Sequence, residues 1–184
     1  MSENINQFLF NTLIYWKEII IHTYQSYPTK TLIYLILIFI LIFFLKKLPQ
    51  TSYLYALLTL PATIMHELTH LVLSILTFGK PTKINLLPKK TENGIIYGYV
   101  ENSNITYYNA IFIGLAPLIL LVFGFIFIFK YLIPETNIYL IVWYFYISLM
   151  FIEGGIPSRT DLKIALISWP LILIIGVVFL FVKF

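Results

Sequence analysis

The run His66-Glu67-Leu68-Thr69-His70 combines residue types and spacing that can do chemistry. On a helix, histidines four residues apart project from one side a turn apart, which is the arrangement a tetrahedral divalent cation requires of two imidazoles. The glutamate beside them can take a proton from an attacking water, so the pattern points to metal-assisted hydrolysis. Short patterns arise by chance, and placement gives this one its weight. The five residues sit inside a hydrophobic stretch, 53–78. Ionisable groups at membrane depth are rare and mark functional sites.

A hydrolytic zinc site has three protein ligands and one open position. The chain has no cysteine, which excludes disulfides and thiolate ligands and leaves His, Asp, Glu and water. His22, the one histidine outside the motif, lies in a polar N-terminal segment and reads as a solvated or interfacial residue. The third ligand is then Asp161 or Glu153. Ser158 and Asp161 also fit the S-x-x-D capping box, in which both simply begin a helix. The nearly uncharged stretch 152–157 can dip into the bilayer and carry Asp161 to the depth of the histidines, which favours it. Glu153 keeps open a site completed by a glutamate.

Thr59, Thr63, His66, Glu67, His70, Ser74 and Thr77 recur every three or four residues and so share one helix face. Taken singly, the hydroxyls read as helix-packing groups. As a stripe centred on the motif, they predict a face turned to a bundle interior or a wet cavity, with hydroxyls behind the metal ligands.

These residues need elements to position them, and the composition says which. Of 184 residues, 60% are hydrophobic, 18% aromatic and only 11% charged, as expected for an all-α polytopic membrane protein rather than a soluble domain. About five transmembrane helices are expected, with candidates at 31–45, 53–78 with a kink at Pro61, 108–129, 138–152 and 164–182. Ile5, Phe8, Leu9, Leu13, Trp16 and Ile20 oppose Asn4, Gln7, Asn11, Glu18 and His22, predicting an amphipathic helix over residues 1–27 that lies in the interface or packs on the bundle and ends at Pro28. Residues 28–184 then form a single membrane domain. Between the second and third spans, 83–87 and 94–100 read as strands of a small β-hairpin joined through 88–93.

The net charge is +4, and the cations cluster at helix ends and in loops, which suits lipid headgroups rather than nucleic acid. Met1-Ser2-Glu3-Asn4 does not resemble the start of a cleavable signal peptide, so insertion is expected to depend on the first membrane helix. With five spans, Lys17, Lys30, Lys80, Lys83, Lys89, Lys90, Arg159 and Lys163 share the side of the N-terminus, against Lys46, Lys47, Lys130 and Lys183. That bias predicts a multi-pass protein of the cell membrane with a cytoplasmic N-terminus.

Pro61-x-x-x-x-His66-Glu67-x-x-His70, then Gly114-Leu115-Ala116-Pro117, then Pro157-Ser158-Arg159-Thr160-Asp161-Leu162-Lys163 together resemble the site-2 protease family of intramembrane metalloproteases. The likeness is to its small prokaryotic branches, in which a P-S-x-x-D-type motif replaces N-P-x-D-G, and it covers residues 56–163. The resemblance implies one zinc per chain held by His66, His70 and Asp161, Glu67 as general base, and cleavage of a membrane-embedded protein substrate. The motif reads HELTH where the family favours HExGH. The family's asparagine has no obvious equivalent, leaving Asn109 and Arg159 as stand-ins for transition-state stabilisation. Ala110 and Gly114 also fit a small-xxx-small helix contact. Two other classes remain open on the residues alone: a catalytically silent relative that binds membrane proteins, and a membrane metal transporter or sensor.

Overall fold

Apolar residues dominate the chain and prolines punctuate it, so helices form and then break where a backbone N–H is missing. The computed structural model describes residues 2–49, 52–91 and 94–183. These are mostly helical, with two small antiparallel pairings. They fall into two compact units, Met1–Lys47 with Val122–Met150, and Leu48–Leu121 with Phe151–Phe184.

In the first unit, α1 (Ser2–Ser26) leads into α2 (Pro28–Lys47). As expected, α1 stops short of Pro28, ending at Ser26. Pro28 occupies the first position of α2, where no amide donor is needed. The bonds Tyr27 N–H to Thr23 O and Thr31 N–H to Tyr27 O, both 2.9 Å, flank the junction. Phe8, Leu9 and Leu13 of α1 are exposed, as are most apolar side chains of α2 apart from Ile38 and Ile42. Part of α6 (Leu118–Phe127), a π-helical turn at Ile128–Leu132 and most of α7 (Ile138–Gly154) complete the unit. Ile128, Leu132 and Ile133 form its fully buried centre. Lys130 lies 5.2 Å from the Trp16 ring, and Lys30 Nζ donates to Glu135 O at 2.5 Å. The Glu135 carboxylate accepts the N–H groups of Asn137 and Thr136, which holds it below the usual carboxylate range.

The second unit begins with α3 (Tyr53–Leu58), capped by Ser52, and α4 (Leu60–Leu76). The expected single helix over 53–78 is thus broken at Thr59, with Pro61 in the first turn of α4. The end of α4 is closed by Gly79 N–H to Ser74 O at 2.7 Å and Phe78 N–H to Ile75 O at 3.2 Å, which is a Schellman motif. Phe78 holds the left-handed position, φ 59°, that glycine normally takes.

A β-ribbon follows. β1 (Pro81–Asn85) pairs with β4 (Tyr99–Asn102), and β2 (Lys89–Thr91) with β3 (Gly94–Ile96). A hairpin is present where one was expected, but its register differs. Residues 89–91, assigned to the connection, are a strand, because pairing resumes beyond Pro88, which cannot donate to a ladder. Glu92 and Asn93 of that connection lie outside the described residues.

Then come α5 (Ala110–Gly114) and α6, separated at Pro117, and α8 (Arg159–Ala165), a 3-10 turn (Leu166–Ser168) and α9 (Trp169–Lys183), separated ahead of Pro170. The helices expected at 108–129 and 164–182 are therefore interrupted. Among the described residues, α2 alone is long and apolar enough to cross a bilayer as one helix. Ile138–Gly154 with Arg159–Ile174 qualifies only as a pair bent by 51°.

Candidate metal centre

All of the candidate centre lies in the second unit. His66 and His70 stand one turn apart on α4, and Asp161 is in the first turn of α8. His66 Nδ1 lies 2.8 Å from Gly154 O, and His70 Nδ1 lies 2.8 Å from Ile113 O. A carbonyl only accepts, so each Nδ1 carries a proton, and in the neutral imidazole each Nε2 presents a lone pair. The two Nε2 atoms are 3.2 Å apart. Asp161 Oδ2 is 3.2 Å from His66 Nε2, and Oδ1 is 3.2 Å from His70 Nε2.

Two imidazole Nε2 atoms and a carboxylate thus converge on one point, where a proton on Nε2 or a cation can join them. His70 and Asp161 are buried, so the carboxylate calls for a positive partner there, an imidazolium or a metal ion. The three residues can hold a metal ion. Their 3.2 Å separations fit the edge of about 3.3 Å expected for a tetrahedron with bonds of about 2.0 Å.

The carbonyls are available to the imidazoles because of two helix breaks. In an unbroken helix Ile113 O would accept from residue 117, but that residue is Pro117 and has no N–H. Ala116 N–H approaches it at 3.3 Å. Gly154 O would accept from Ser158 N–H, which instead donates to Asp161 Oδ2 at 2.6 Å. Each break hands an acceptor to a histidine, and the second also supplies a donor to the carboxylate. Such outer partners fix ligand tautomer and orientation. They escape a sequence reading because backbone carbonyls carry no residue identity; the one available signal was a proline four residues after Ile113.

Asp161 both caps and faces the histidines. Ser158 Oγ accepts Asp161 N–H at 3.2 Å, completing the capping box. α5 seats this helix closely: a Cβ on Gly114 would stand 2.4 Å from Asp161 O and 2.6 Å from Ala165 N. Glu67 follows His66 on α4 and is partly buried.

Other candidates lie elsewhere. Glu153 is outside the three-residue group and takes a hydrogen bond from Tyr55 OH at 3.4 Å. Asn109 is fully buried with its amide engaged: it accepts from Thr106 N–H and donates to Thr77 O and Asn104 O. No donor is left for a reacting group. Arg159 is exposed on the first turn of α8. The hydroxyls of Thr59, Thr69 and Thr77 bond carbonyls of their own helical path, and Ser74 bonds Asn102 of the ribbon. These hydroxyls brace the helix and do not back the ligands.

No family model, curated protein or solved structure matches the chain.

Proposed function

We propose that this chain is an integral membrane zinc metalloprotease that hydrolyses peptide bonds in or near the transmembrane segments of membrane proteins. The observation that carries the reading is the convergence of His66 Nε2, His70 Nε2 and the Asp161 carboxylate at 3.2 Å separations, with Glu67 next to His66 on the same helix. Two imidazoles and one carboxylate suit zinc better than the all-oxygen sites of magnesium or calcium. The apolar surface supports a membrane setting: Phe39, Phe43 and Phe44 on α2 are each at least 58% exposed, more apolar surface than water tolerates in contiguous patches. The charge bias favours a multi-pass topology with the N-terminus in the cytoplasm.

When bound, zinc would acidify a water and polarise the scissile carbonyl. His66 and His70 are neutral ligands whose tautomers the two carbonyls fix, and Asp161 balances part of the charge. Glu67 takes the proton of the attacking water and delivers it to the leaving amine, so one water is consumed per peptide bond cut. A helical substrate must first unwind, because its carbonyls are otherwise held in hydrogen bonds. The ribbon offers strand edges to which an extended segment can add.

The test is zinc content and turnover of a reporter membrane helix by protein purified in detergent. About one zinc per chain is expected in wild type and in Glu67→Gln alike, with turnover at least about 100-fold lower in the variant. Wild type lacking zinc, or Glu67→Gln cleaving at the wild-type rate, refutes the reading. Zinc with no turnover in wild type favours a silent binder.

A further inference from the structure

We infer that Gly98 is a positioning residue for Glu67: only the absence of a side chain there lets the carboxylate stand beside the ligand group. The inference rests on the proposed function and deepens it.

Tyr97 and Gly98 form the interruption of the ribbon between β3 and β4. A Cβ on Gly98 would lie 2.7 Å from Glu67 Cγ, 3.3 Å from Glu67 Cδ and 3.1 Å from Asn85 O. The φ of Gly98 is outside the left-handed region, so backbone conformation does not call for glycine here. Close approach does.

An added methyl group would be wedged between a backbone and a side chain. The backbone side is firm, because Asn85 pairs with Tyr99 in the β1–β4 ladder. The segment is also held at both ends. The Tyr97 ring packs edge-on against Tyr55 at 5.6 Å, and Tyr55 OH bonds Glu153. At the end of β4, Asn102 bonds Ser74 of α4. The Glu67 side chain, with its rotatable bonds, is the part that yields. Its displacement moves the carboxylate from the place it holds beside Gly98.

The experiment compares wild type and Gly98→Ala, both zinc-loaded in detergent, on the reporter helix. A displacement of about 1 Å in a reacting group costs up to about 100-fold, so kcat is expected to fall about 10- to 100-fold with KM and zinc content unchanged. In the Glu67→Gln background, Gly98→Ala should leave the affinity for the uncleaved reporter unaltered. A wild-type kcat in Gly98→Ala overturns the inference. So does loss of zinc, or weaker reporter binding in the Glu67→Gln background, since either places the effect in the fold or on the substrate. A structure of the Gly98→Ala variant decides the matter without activity. Glu67 in a new rotamer under an unmoved ribbon supports the inference, and a shifted ribbon over an unmoved Glu67 overturns it. Failure of wild type to cleave would count against the proposed function alone.

Discussion

At the scale of single residues, the proposed function gives Asp161 a second task beside capping, and the two tasks separate chemically. Capping needs an oxygen that accepts Ser158 N–H, which an amide also provides. Holding a cation against two imidazoles needs the negative charge. Asp161→Asn is therefore expected to keep the start of α8 and lower zinc affinity at least about tenfold, as read by competition with a chelator. Glu153→Gln, which alters a group outside the cluster, should leave that affinity unchanged; the reverse pattern would move the ligand role to Glu153. His66, Glu67 and His70 were legible in the sequence because their chemistry is carried by side chains at a fixed spacing. Asp161 was legible only as one of two candidates, since nothing in a linear order tells which carboxylate folds back to the motif. Gly98 was invisible, because a glycine announces flexibility and not what lies 3 Å away.

At the scale of elements, the helix breaks matter as much as the helices. Proline positions were readable, and Pro61 was rightly expected to disturb the motif helix, but the outcome is a break at Thr59 rather than a kink. The consequence of Pro117 required knowing where the freed Ile113 oxygen points. Pro117→Ala restores an N–H that competes with His70 Nδ1 for that oxygen. Zinc affinity is expected to drop about 10- to 100-fold, the usual effect of losing an outer partner of a ligand histidine. Helical content by circular dichroism should stay the same or rise. An unchanged affinity would show that the carbonyl does not orient the ring. The strand register was beyond the sequence for a simpler reason: Lys89, Lys90 and Thr91 look like turn residues, and only pairing with Gly94–Ile96 makes them a strand.

At the scale of the whole molecule, the candidate centre belongs to one compact unit and joins pieces far apart in the chain, α4, α5 and α8. If a cation joins these pieces as proposed, chelation is expected to loosen Leu48–Leu121 with Phe151–Phe184. For zinc present at about a thousand times its Kd, the lost stabilisation is about 4 kcal/mol. Hydrogen exchange followed by mass spectrometry should rise in that unit, change little in Met1–Lys47 with Val122–Met150, and revert on adding zinc. Uniform exchange with and without chelator would argue that the unit holds no cation. Composition alone foretold a mostly helical, apolar molecule, since hydrophobicity is a bulk property. It did not foretell how often the apolar runs are cut, because breaks depend on where single amides find partners. The elbow of 51° between Ile138–Gly154 and Arg159–Ile174 carries one more consequence. Helices adjust their tilt to the thickness of the bilayer around them. In the membrane setting proposed above, a change of tilt at this elbow would turn the Gly154 oxygen, and with it the plane of the His66 ring. Bilayer thickness would then be a variable in the affinity for the proposed ion.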